Sequence, residues 1–241
     1  MDEAEEYGLL SQVAYDSYYM GHDEAEANMQ VFFPKYTIDR DLSDDHATTV
    51  STPNGGVISY RGTDPNNVYD LMADGLVALG YNREKNSNIP KTRFARANEL
   101  YNRAKEKYER LTLTGHSLGG TLADYVSRRN NEDMVRAYVF NPGESPFEYF
   151  RFGREIPSHT TVYTTGNDAI SYSGRAYQKH QSINFRPKTE GGGYYLLDAH
   201  SLKNFLPKKQ IHDKKNLEFQ PSSLYSKMCL EYPEKCKSRG V

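Results

Sequence analysis

The stretch around residue 117 constrains this chain more than any other. A β-prone run, Arg110-Leu111-Thr112-Leu113-Thr114, stops at Gly115-His116-Ser117-Leu118-Gly119-Gly120, and a helix-forming run through Leu122, Ala123, Tyr125 and Val126 begins at once. Such a strand-to-helix turn belongs to layered α/β architectures, and it carries the G-x-S-x-G pattern of a nucleophile elbow. The pattern has a steric logic: a serine exposed on a strained turn needs neighbours without side chains, so that both chain arms can pass closely. Gly120 and Ala123 also allow the helix to lie near a sheet. The competing reading is a plain tight turn in which Ser117 caps the helix, since serine is a favoured N-cap. A phosphate-binding loop fits poorly, because no GxxxxGK[ST] pattern is present and no Lys follows the glycines.

The rest of the chain supplies layers on either side of this turn. Residues 5–19 place Leu9, Leu10, Val13, Ala14 and Tyr18 near helical spacing, which predicts a helix packed on the body. The runs 47–51 and 56–61 flank Pro53-Asn54-Gly55-Gly56, a hairpin signal, and the second run is expected to stop at Gly62. Val68, Leu71, Met72, Leu76 and Leu79 recur at helical intervals, weakened by Gly75. A charged helix is expected over 91–109, with Phe94, Ala97, Leu100, Tyr101, Ala104 and Tyr108 as its apolar stripe. Strands follow over 110–114, 136–140, 159–165 and 181–185, with a short helix near His200. Strand and helix alternate through the middle of the chain. This predicts an α/β fold with a mostly parallel sheet, helices on both faces and working residues on loops at the carboxyl ends of strands.

At 241 residues the chain suits one domain. Lys and Arg number 30 against 32 Asp and Glu, a net charge of −2, so no global field points to nucleic acid. The opening MDEAEEYGLLSQVAY has no cationic leader, and no stretch approaches the roughly 20 apolar residues that span a bilayer. A soluble, cytoplasmic protein made without an export signal is expected. Cys229 and Cys236 lie far from the elbow, so thiols are expected neither to hold the core nor to ligate a metal, although a disulfide between them stays open.

A serine hydroxyl is a poor nucleophile until a base takes its proton, and that base needs an orienting carboxylate. Downstream of an elbow the carboxylate comes first and the histidine second, each after a later strand, which leaves His159, His180, His200 and His212 as candidates. His159 precedes its strand, and His180 and His212 sit in charged, loop-like sequence. His200 remains, where the run 196–199 gives way to a short helix. Asp168 follows the strand Thr160-Thr161-Val162-Tyr163-Thr164-Thr165 in Gly166-Asn167-Asp168, and its alternative is an Asx-turn residue. Asp198 is a rival that lies too near His200 in the chain to reach its ring easily. An oxyanion needs backbone donors: the N–H of Leu118 is one, and Thr63, after the strand ending in Arg61-Gly62, is the other.

Taken in order, Ser59-Tyr60-Arg61-Gly62-Thr63, Leu113-Thr114-Gly115-His116-Ser117-Leu118-Gly119-Gly120-Thr121-Leu122-Ala123, Asn141-Pro142-Gly143, Gly166-Asn167-Asp168 and Ala199-His200-Ser201-Leu202 resemble the class 3 lipase family of fungal-lipase-like α/β-hydrolases, over roughly residues 7 to 206. The resemblance implies an α/β-hydrolase domain over 1–206, followed by an extension, 207–241, to which it assigns no role. It implies a triad of Ser117, Asp168 and His200, an oxyanion hole of Thr63 and Leu118, and no metal or organic cofactor. The substrates it implies are acylglycerols, phospholipids or simpler esters, met through transient contact with a lipid interface. It places a helical lid at Val68, Leu71, Met72, Leu76 and Leu79, although an ordinary packed helix would show the same stripe. The chain lacks the signal segment and disulfide framework of secreted members, and it has no Trp where one often follows the oxyanion loop, with Tyr69 standing there instead. Those departures favour a cellular, bacterial, phage or viral esterase or phospholipase. A soluble short-chain carboxylesterase and a non-catalytic lipase-like binding protein remain as alternatives.

Overall fold

The computed structural model describes residues 1–63, 93–133, 135–143, 157–165, 168, 182–185 and 200–206. The helix expected from Val68 to Leu79 with its lid residues, His180, His212, Asp198, the glycine run 191–193, both cysteines and the extension 207–241 lie outside the described residues.

Helix α1 (Glu3–Met20) opens with a capping box, in which the Asp2 carboxylate accepts from Glu5 N at 2.8 Å and Asp2 N donates back to the Glu5 carboxylate. Helix α2 (His22–Gln30) and strand β1 (Thr37–Asp39) come next, neither of them legible in the sequence. Only Ala25 and Met29 of α2 are buried, too thin a stripe for periodicity to register. Strands β2 (Ala47–Thr52) and β3 (Gly55–Tyr60) form the expected hairpin. Its turn falls on Pro53 and Asn54, because Thr52 already pairs with Gly55. Gly55 has φ 134°, and a Cβ there would lie 2.3 Å from Arg110 O, so glycine is required.

Helix α3 (Arg93–Lys107), strand β4 (Leu111–His116), helix α4 (Leu118–Arg129), strand β5 (Arg136–Phe140), strand β6 (Thr160–Thr165) and strand β7 (Ser182–Phe185) complete the frame. Strand β4 runs two residues further than expected, since Gly115 and His116 still pair with β3 and β5. The short helix expected near His200 is a single 3-10 turn at Leu202–Asn204. Among the described residues the sheet has seven strands in strict chain order, β1 to β7. The first two pairings are antiparallel and the remaining four are parallel.

Alternation along the strands sends successive side chains to opposite layers. Ile58, Tyr60, Leu113, Ala137, Val139 and Val162 pack with Phe94, Leu100, Leu122 and Val126 of α3 and α4. Tyr138, Phe140 and Tyr163 face the other way, onto Tyr15 of α1 and Leu202 and Phe205, and Val50 and Val57 meet Leu10 and Val13. Helices therefore cover both faces, as the sequence led one to expect. Helix α1 departs from a simple amphipathic helix: every residue from Gly8 to Ser17 is buried. The sheet lies on one side of it, α2 packs against it, and Phe205 lies so near Gly8 that a Cβ added there would be 3.5 Å from the Phe205 Cβ. Tyr18, expected in the apolar stripe, is half-buried under the Arg61 guanidinium, 3.9 Å from its ring centroid. Among the described residues, no helix is long and apolar enough to cross a membrane.

Candidate active site

Ser117 occupies the single residue between β4 and α4 with φ 58° and ψ −128°. A non-glycine residue in this region costs on the order of 1–3 kcal/mol and persists only where surrounding bonds impose it. Those bonds are present: Ser117 N donates to Phe140 O at 3.0 Å, and Ser117 O accepts from Thr121 N at 3.1 Å and Gly143 N at 3.3 Å. Although Ser117 stands at the N-cap, its side chain makes no capping bond, which removes the plain-cap explanation. Its Oγ is buried and has no hydrogen-bond partner.

Close backbone approach explains the flanking glycines. A Cβ on Gly119 would lie 2.0 Å from Tyr60 O, and one on Gly115 would lie 2.3 Å from both C and O of Gly119. Because these obstacles are main chain, Gly119→Ala should cost more than about 3 kcal/mol, the upper end of ordinary overpacking. Urea unfolding of the variant checks this, and a loss below about 1 kcal/mol would show that the crossing can relax.

The same crossing brings the end of β3 to the elbow. Strand β3 stops at Tyr60, one residue short of the expected run, because Gly62 already crosses the turn: a Cβ there would be 2.6 Å from His116 O and 3.3 Å from Ser117 Cβ. Thr63 follows with a buried hydroxyl that lacks a partner. Leu118 heads α4, where first-turn N–H groups have no intrahelical acceptor and the helix dipole is positive.

Beyond β6, Asp168 is wholly buried, with its N–H donating to Thr165 O at 3.3 Å. Its Oδ2 lies 2.8 Å from Nδ1 of His200, itself 7% exposed. The two residues singled out from chain order and loop position thus meet. The remaining ring nitrogen, His200 Nε2, is buried without a partner, as is Ser117 Oγ, so the bond between those two atoms is not made in this structure. His159 lies at the entry of β6, at the opposite end of that strand from Asp168, and neither of its ring nitrogens has a partner.

Three side chains to which the sequence reading assigned no role tie the site together. Tyr15 Oη lies 3.1 Å from Nδ1 of His116, and Nε2 of the same ring lies 2.6 Å from His200 O. Asn141, with φ 41° just after β5, donates from Nδ2 to His200 O at 3.1 Å and to Thr165 Oγ1 at 3.2 Å, while its Oδ1 accepts from Thr165 N at 2.8 Å. Strand alternation was the available signal for His116, since it faces away from Gly115 and toward α1.

Burial pushes the His116 ring from 6.5 down to about 3, so it stays neutral in the fold. Burial pushes Asp16, on the same helix as Tyr15, from 3.8 up to about 7, so it stays protonated in mild acid. The consequences for stability have opposite signs. An unfolded chain protonates His116 below pH 6.5 while the fold does not, so that group's share of stability is lost as pH falls toward about 3. Asp16's share is fully present below pH 3.8 and is lost as pH rises through about 7. Asp16→Asn removes the second effect alone. Relative to wild type its stability should fall by about 1.4 kcal/mol per unit as pH drops from about 7 to about 4. Urea midpoints across that range measure this, and parallel pH curves for the two proteins would refute it.

No protein-family model matches this chain, and a search of curated proteins finds no match.

Proposed function

We propose that this chain is a serine hydrolase of the α/β-hydrolase fold that cleaves carboxylic ester bonds of lipid-like substrates, of the acylglycerol lipase or phospholipase A type. The observation that carries the reading is the elbow. Ser117 holds a strained backbone with its hydroxyl unpartnered, and the preceding residue, His116, lies with its ring centroid 5.0 Å from that of a histidine, His200, that is bonded to an aspartate and has its second nitrogen unpartnered. The preference for lipid-like esters rests on the resemblance to class 3 lipases in the Arg-Gly-Thr, Gly-His-Ser-Leu-Gly-Gly and Ala-His-Ser-Leu segments.

In this reading Ser117 Oγ attacks the ester carbonyl while His200 Nε2 takes its proton, and the new oxyanion is met by the Leu118 N–H and by Thr63. Collapse of the tetrahedral intermediate expels the alcohol, which receives the proton from His200 and leaves an acyl group on Ser117. Water, deprotonated by His200, then releases the acid and restores the serine. The open Ser117–His200 contact is compatible with this, because such bonds often tighten only when substrate is bound.

A fluorophosphonate probe together with a panel of p-nitrophenyl esters, triacylglycerol and phospholipid vesicles tests the reading. Stoichiometric labelling of Ser117 and ester turnover are expected, with activity rising as the lipid forms an interface. Absence of labelling and of turnover on every substrate would sink it, and turnover of short monomeric esters with no interfacial rise would reassign the substrate class.

A further inference from the structure

We propose that Tyr15, His116 and Asn141 are positioning residues that hold the main chain of His200, and so aim its imidazole at Ser117; this rests on the hydrolase reading above. The geometry lies in the His200 carbonyl, which accepts from two side chains, His116 Nε2 at 2.6 Å and Asn141 Nδ2 at 3.1 Å. Those side chains come from the ends of β4 and β5, so the carbonyl is fixed to the same two strand ends that build the elbow.

Tyr15 sets the tautomer on which the first of these bonds depends. A carbonyl can only accept, so Nε2 of His116 must carry hydrogen, and in a neutral ring Nδ1 must then accept. The Tyr15 hydroxyl supplies that donor from helix α1, since its contact with Nδ1 at 3.1 Å is shorter than its other contact with this residue, the His116 carbonyl at 3.4 Å. Without it the ring can place its proton on Nδ1, and a lone pair then faces the His200 carbonyl where a donor stood. Asp168 grips the imidazole at Nδ1, but one bond leaves the ring free to swing about that contact. A second anchor at the His200 main chain removes this freedom and determines where Nε2 points. Displacements near 1 Å of a reacting group can cost about 10²-fold in rate.

The experiment follows fluorophosphonate labelling of the full chain over time, reading the rate constant and the final stoichiometry separately. Tyr15→Phe should lower the rate constant by about 10²-fold while still ending at one probe per chain, and kcat on a p-nitrophenyl ester should fall with KM little changed. His116→Gln offers an amide donor near the place of Nε2 and has no tautomer to choose. It should keep the rate within about 10-fold of wild type, whereas His116→Leu should lose about 10²-fold. This pair carries the test if Tyr15→Phe folds poorly. A wild-type rate constant in Tyr15→Phe, or equal losses in the Gln and Leu variants, would overturn the proposal and leave the hydrolase reading standing. A variant that loses stoichiometry at an unchanged rate constant would show a merely structural role and overturn it as well. Failure of the wild type to label would bring down the hydrolase reading and this one together.

Discussion

Ser117→Ala should lower kcat on a p-nitrophenyl ester by about 10⁶-fold, the scale seen when a triad serine is removed elsewhere. The size follows from what the hydroxyl does alone in the proposed mechanism: without Oγ there is no acyl-enzyme, and His200 and Asp168 have no proton to move. The oxyanion donors would still bind a transition state for direct attack by water, which leaves a residual rate about 10³–10⁴ above the uncatalysed one. The elbow should survive the change, since its backbone bonds come from Phe140, Thr121 and Gly143 and Oγ makes none. Matched unfolding curves for the two proteins would establish that the activity, and not the fold, has been removed. A fall of less than about tenfold, against the 10⁶ expected, would take Ser117 out of the nucleophile's role.

Asp168→Asn should cost on the order of 10⁴ in kcat. The carboxylate at 2.8 Å from His200 Nδ1 holds the ring with its proton on that nitrogen, leaving Nε2 as the base. An amide of the same shape can donate to Nδ1 instead, which places the proton on Nε2, where it blocks acceptance from Ser117. It also removes the charge that stabilises the imidazolium formed during attack. Steady-state kinetics on the purified variant measure the loss. A fall of under about 10², where about 10⁴ is expected, would mean that another group orients His200.

How much of this could be read from the chain depended on how local each signal was. The elbow was legible because its demands are written within a few residues: a β-prone run, glycines where backbones cross, a helix behind. Asp168 and His200 are far apart in sequence, but each follows a run whose end could be located; the fixed order of triad partners narrowed the histidines to four, and position in the chain set aside His159, His180, His212 and Asp198. Tyr15 was hidden for a physical reason. Helix α1 is buried on all sides, so its polar and apolar residues do not sort into an inner and an outer face, and a stripe-based reading passes over a tyrosine whose hydroxyl points at the sheet. Asn141 works through a positive φ and side-chain hydrogen bonds to Thr165 of β6 and to His200, and nothing in Asn141-Pro142-Gly143 alone announces those partners. Helix α3 was legible through its stripe, while α2 and the three-residue β1 had too few buried side chains to register.

The chain-ordered sheet bears on how the molecule is assembled. From β2 onward each described strand pairs with the described strand before it, so pairing can advance as the polypeptide emerges, although the parallel pairings must each close over an intervening segment, the longest running from Tyr60 to Leu111. The hydroxyl of Tyr15 must wait for a ring 101 positions later, and that ring must in turn wait for a carbonyl 84 positions beyond it. Nascent chains would therefore carry a built scaffold long before the network around Ser117 is complete, and on the hydrolase reading the capacity to react would be acquired only when the segment around His200 docks.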